Sequence, residues 1–180
     1  MSESLLTPVA ARVQQTLRSI PDYPKPGVLF QDITPVLGNG GLLRDVVQEM
    51  IRPFSGTGVT HVLGIEARGF ILGGAVAIAL EAGFVPARKP GKLPWERATE
   101  AYDLEYGKDS LEAHRDAVAR GNRVLIVDDV LATGGTARAA GQLARGMGAE
   151  LVGWTFLLEI AALGGRERLK GAVCHTVAKV

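Results

Sequence analysis

The chain holds a single cysteine, Cys174, in 180 residues, so no internal disulfide framework can support it. Histidine is almost as scarce. His61, His114 and His175 are scattered, and none stands at ligand spacing from Cys174, which argues against a structural zinc site. Neither sign of charge prevails: 20 Lys and Arg against 19 Asp and Glu leave a net charge of +1. A duplex nucleic acid normally demands a strong basic excess, so no nucleic-acid partner is expected and any anion site must be local. Long apolar runs are missing too. The longest weakly polar stretch, 70–82, covers 13 residues and is free of charge only up to Glu81. A membrane helix needs roughly 20 apolar residues, so no membrane partner is expected. No charged-then-apolar leader is read over residues 1–6, where Glu3 interrupts the apolar residues, and a reducing, cytoplasmic setting is the expectation.

What remains is an ordinary globular composition, 47% apolar and 22% charged, and a length that suits one domain over residues 1–180. Thr7 followed by Pro8 reads as a cap and first helical residue, and Val9, Val13 and Leu17 recur at a spacing of four, predicting a helix to about Ser19. The segment 20–35 holds four prolines and Gly27 and is predicted extended or turned, a small lid carrying Val28, Leu29 and Phe30. Beyond it, strand-like runs at 59–65, 84–87, 123–127 and 151–158 alternate with helical patterns at 41–54, 69–82 and 135–147. That alternation predicts an α/β fold: a mostly parallel twisted sheet flanked by helices, with ligands beyond the carboxyl ends of the strands. Between Lys89 and Leu104 no periodicity persists and Pro90, Gly91 and Pro94 punctuate the chain, so residues 89–106 are expected to form a mobile loop.

The densest signal is VLIVDDVLATGGT at 124–136. A buried strand delivers Asp128 and Asp129 together at its end with no cation beside them in sequence. The small residues Ala132, Thr133, Gly134, Gly135 and Thr136 then lead into a helix whose free N–H groups attract an anion. No GK[ST] follows and GxGxxG spacing is absent, so a phosphomonoester suits the loop better than a triphosphate or dinucleotide. The two acids can accept hydrogen bonds from vicinal hydroxyls, each such charge-assisted bond being worth about 1.5–3 kcal/mol. Phosphate plus diol means a ribose phosphate. A capped turn with solvated acids is the plain alternative for a lone GG turn. A phospho-accepting receiver domain is another, although LLEI at 157–160 lacks the later basic residue it wants.

Two more strand ends carry cations. Glu66, Ala67, Arg68 and Gly69 open a helix after the first strand, where Arg68 suits a pyrophosphate. Arg88, Lys89 and Lys92 follow the next strand and can meet a leaving group whose charge rises as its bond breaks. As isolated features, either group could equally be a solvated surface.

With PKPGVLFQDITP at 24–35, GIEARGF at 64–70, RKPGKLP at 88–94 and YDLEYGK at 102–108 in the same order, VLIVDDVLATGGT resembles the signature of the type I phosphoribosyltransferases. The resemblance covers nearly the whole chain. It implies a small N-terminal hood (residues 1–35) over a purine site, a mobile catalytic loop, a homodimer, and a reaction in which adenine and phosphoribosyl pyrophosphate give AMP and pyrophosphate with magnesium held mainly by substrate. Residue by residue, it implies a pyrophosphate loop at Ala67 and Arg68 after a non-proline cis peptide, with Arg88, Lys89 and Lys92 beside it. Phe30 would stack on adenine, main-chain groups of Leu29 and Gln31 would read its edge, and Ile160 would cover the other face. Glu105 would handle the N9 proton and Tyr106 would help close the loop. Transfer to another base, and a regulator that binds phosphoribosyl pyrophosphate without catalysis, remain alternatives.

Overall fold

The computed structural model describes residues 7–104 and 107–180. Its centre is a five-stranded, wholly parallel sheet in the order β4-β3-β7-β8-β9. The strands are β3 (His61–Ile65), β4 (Gly83–Ala87), β7 (Arg123–Leu131), β8 (Glu150–Glu159) and β9 (Val173–Lys179). The inner strands read as apolar runs because both faces are covered. One face buries Val62, Leu125 and Val127 under α1 (Pro8–Thr16), α3 (Gly40–Ile51) and α4 (Arg68–Ala79). The other buries Leu63, Val124, Ile126 and Trp154 under α5 (Gly135–Gly146) and a hairpin of β5 (Arg97–Leu104) and β6 (Gly107–His114). Thr7 caps α1 as expected, its Oγ1 accepting from the N–H of Ala10 at 3.1 Å.

From β3 the chain steps outward to β4, then returns to place β7 on the other side of β3. The order therefore reverses between β3 and β7, and the crevice beyond their carboxyl ends is where an open sheet binds ligands.

Four features depart from the sequence reading. The strand expected over 123–127 runs on to Leu131, because β8 continues to pair with it from Asp128 opposite Phe156 to Leu131 opposite Glu159. The proline-rich segment holds a two-stranded ribbon, β1 (Arg18–Pro21) against β2 (Leu29–Asp32), followed by the short helix α2 (Thr34–Leu37). Within 89–106, expected as a mobile loop with strand-like alternation only from Ala101, Arg97–Leu104 is a regular strand, paired antiparallel from Arg97 opposite His114. Its alternation is weak because only positions such as Tyr102, 4% exposed, turn into the core. Strand β9 was not foreseen at all; its half-polar sequence takes its place by pairing with β8.

Candidate functional site

The loop after β7 folds as a cradle. Gly134 has φ +79°, a left-handed conformation that glycine adopts without strain, and it caps the N-terminus of α5. Residues 132–136 line a pocket of about 80 Å³ together with Asp128, Val130, Leu131 and Ala137. Gly165, from the short turn after β8, packs its backbone directly against Ala132 and Gly134, closing the cradle from outside.

Beside it lies a second cavity, about 300 Å³, lined by Ile65, Glu66, Ala67, Arg68, Lys89, Asp128, Asp129 and Thr136. Asp128 and Thr136 border both spaces, so Asp128 stands between the cradle and the loop after β3, while Asp129 faces the larger cavity only. The two segments come together because β3 and β7 are neighbours, Gly64 lying opposite Val127. Gly69 makes the approach possible: a Cβ there would sit 2.8 Å from Asp128 Oδ1. The peptide between Glu66 and Ala67 is cis.

The cations are all held by carboxylates. Arg68 donates through Nε to Asp129. Glu66 accepts from Lys92 Nζ at 2.8 Å, from Arg88 at 3.3 Å and from the Lys89 backbone N–H at 2.9 Å. The Lys92 bond, helped by the other two against partial burial, holds Glu66 down to about 2. Lys89 reaches Asp109 on β6 and the Tyr102 hydroxyl, the latter at 2.7 Å. Burial works against the Lys89 charge, but these two partners outweigh it and raise its pKa. The Asp128 carboxyl is pushed well above the usual carboxylate range, first by crowding with protein atoms and then by the adjacent Asp129 charge.

The hood ribbon brings Phe30 to the same crevice, with Arg68 Cζ 5.8 Å from its ring centroid and Tyr23 packed edge-on at 5.1 Å. The Gln31 side chain turns to β1, accepting from Ser19 at 3.1 Å, and Leu29 is exposed. Thus Phe30, Ala67, Arg68, Lys89, Asp128, Asp129 and Thr136 converge, while Arg88 and Lys92 stand one carboxylate away, on Glu66. Glu105 and Tyr106 lie outside the described residues. Glu66, Tyr102 and Asp109 were not singled out as partners for these cations. Glu66 was legible as an acid at a strand end, whereas Asp109 depends on the hairpin register. Among the described residues, no group of three or more His, Cys, Asp or Glu side chains is placed to hold a metal, and no helix is long and apolar enough to cross a membrane.

A parallel sheet with a glycine-rich cradle, paired acids and a basic loop at its switch point is the architecture of a phosphoribosyl transferase domain, and the model of that family matches residues 38–172. The adenine phosphoribosyltransferase of Rhizobium meliloti (strain 1021) is 53% identical over 165 residues, 92% of each chain. The crystal structure of adenine phosphoribosyltransferase from Rhodothermus marinus superposes with a TM-score of 0.92 at 50% identity, covering 96% of this chain and 98% of that one. That of the Saccharomyces cerevisiae enzyme, complexed with an imino-altritol bisphosphate and adenine, gives 0.88 at 38% identity over 94% and 98%. The chain belongs to the adenine phosphoribosyltransferases.

Proposed function

We infer that this chain transfers the 5-phosphoribosyl group of phosphoribosyl pyrophosphate to N9 of adenine, forming AMP and releasing pyrophosphate, a purine salvage reaction. The observation that carries this reading is the position of Asp128 between the cradle of residues 132–136 and the cavity that it shares with Asp129, Ala67 and Arg68. A ribose 5-phosphate seated with its phosphate on the α5 N-terminus sets its diol against these acids and its C1 pyrophosphate toward Arg68.

The internal ion pairs then exchange partners. When the diol donates to Asp129, Arg68 is released to the pyrophosphate. Lys92 and Arg88 can swing from Glu66, and Lys89 from Asp109, onto the same oxygens. The C1–oxygen bond breaks as the N9–C1 bond forms, and the cations take up the charge that collects on the leaving group. Phe30 stacks on adenine beneath the hood, with main-chain groups of Leu29 and Gln31 at its edge. Glu105 takes the purine proton, and Tyr106 closes the loop above the site. Magnesium suits this site as an ion carried in on the substrate pyrophosphate, where it supplies further neutralisation of the departing charge.

The working unit is a homodimer in the cytoplasm. In support, Ile71 and Ile78, one heptad apart on α4, are 51% and 81% exposed, and Phe84 on the edge strand β4 is 38% exposed. Turnover measured side by side with adenine, hypoxanthine, guanine and uracil is expected to show adenine preferred by at least tenfold; equal rates would exclude the assignment of the base. Sedimentation of wild type and Ile78→Glu is expected to show a dimer and a monomer.

A further inference from the structure

We infer that the outer face of α5 carries a second anion site, a cavity of about 420 Å³ suited to the phosphate chain of a polyphosphate or nucleoside triphosphate. Arg138 and Arg145 from α5 and Arg168 and Lys170 from the turn after β8 line it, against one acid, Glu167, while Trp154 forms its floor. It shares no lining residue with the cradle or the cavity beside it.

Three observations distinguish this pocket from a solvated basic face. First, the active-site cations are each paired with a carboxylate, whereas among the described residues none of these four is in an ion pair. In a chain of net charge +1, four unneutralised cations around one cavity are a local concentration of charge. Second, Arg138 stands in the first turn of α5, at the positive end of the helix, where a cation is disfavoured unless an anion offsets it. Third, the floor is held in place. The Trp154 indole N–H donates to the Ala137 carbonyl at 2.9 Å, and the Arg145 guanidinium lies 5.9 Å from the ring centroid. Gly141 lets the ring press against the helix, since a Cβ there would lie 2.9 Å from Trp154 Cζ2.

Trp154 is only 1% exposed, so no base can stack on it, and recognition falls to the phosphate chain. Guanidinium groups from two separate elements, α5 and the turn after β8, suit phosphate oxygens, which they can bind bidentately.

The indole N–H resonance of Trp154 reports on the floor directly, and Trp95→Phe leaves it as the sole tryptophan signal. Titration of the full chain with sodium tripolyphosphate is expected to move that resonance saturably, and added salt to weaken the effect. In Arg145→Glu/Arg168→Glu, both at exposed positions, the midpoint is expected to rise at least tenfold, with thermal unfolding and AMP affinity within twofold of the parent. A parallel titration with ATP separates the sources: equal midpoints identify the phosphate chain alone as the ligand, and a tenfold tighter midpoint identifies a nucleoside triphosphate whose nucleoside makes contacts other than stacking on Trp154. An unmoved resonance, or a shift that persists in the charge-reversed variant because it arises at the active site, would overturn the inference.

Discussion

Arg68 donates through its Nε to Asp129, tying the first turn of α4 to the C-terminal half of β7 across the switch point of the sheet. The two charges neutralise each other, and on the proposed function a diol and a pyrophosphate arriving together would part them. Arg68→Ala is expected to raise the KM for phosphoribosyl pyrophosphate by about ten- to a hundredfold, the worth of one charge-assisted contact. AMP affinity, which needs no pyrophosphate contact, should change much less. Initial-rate kinetics and calorimetry with AMP check the two halves of that statement.

Glu66 gathers Lys92, Arg88 and the Lys89 backbone, and its pKa falls from 4.5 to about 2. A carboxyl whose pKa is depressed by folding contributes stability that is fully present above the unfolded value and fades as pH falls through the folded one. The window is therefore about pH 4.5 down to 2. In urea unfolding, Glu66→Gln is expected to be less stable than wild type at pH 7, with the difference narrowing below pH 4.5.

Asp128 is the opposite case, an acid whose ionisation the fold resists. Asp128→Asn removes the repulsion with Asp129 while the amide oxygen can still accept from the Asp129 N–H, a bond of 2.9 Å here. The variant is expected to unfold at a higher temperature, by about 1 kcal/mol of added stability. It should also bind AMP about tenfold or more weakly for want of the charged acceptor. Calorimetric melting and AMP titration measure both.

Gly69 and Gly74 lie on the same helix with opposite surroundings. A Cβ at 69 meets Asp128 Oδ1 at 2.8 Å and the Val127 carbonyl at 3.0 Å, whereas at 74 nothing lies within 4 Å. Gly69→Ala is expected to cost about 1–3 kcal/mol and to displace Asp128, lowering kcat/KM. Gly74→Ala, which lies between Ile71 and Ile78 on the face assigned to the dimer, meets nothing within its own chain and should be neutral or stabilising by up to about 1 kcal/mol toward unfolding of the chain. Denaturant midpoints and kinetics on the pair separate helix propensity from crowding.

The legible parts of the chain were those whose physics is local. The run of Val124 to Val127, the acids after it and the glycines before α5 each act through their immediate neighbours, so strand, cradle and helix could be read in sequence. The strand ends at Ala67 and Arg68 and at Arg88 and Lys89 were legible for the same reason. Phe30 and Glu105, by contrast, acquired roles only through resemblance, since an aromatic in a proline-rich turn and an acid in a weak strand pattern carry no chemistry of their own.

Sequence alone thus determined an alternating α/β order and a glycine-rich cradle at the start of a helix over 132–136, because apolar periodicity and backbone N–H groups at a helix start are short-range properties. Only the tertiary structure decided that β7 runs on through its acids, that residues 97–104 and 107–114 pair, and that β9 completes the sheet. It also decided which carboxylate holds which cation: Asp129 for Arg68, Glu66 for Lys92 and Arg88, Asp109 for Lys89. Each of these depends on strand order or register between segments distant in sequence, and a side chain's electrostatic partner is set by that geometry rather than by its sequence neighbours.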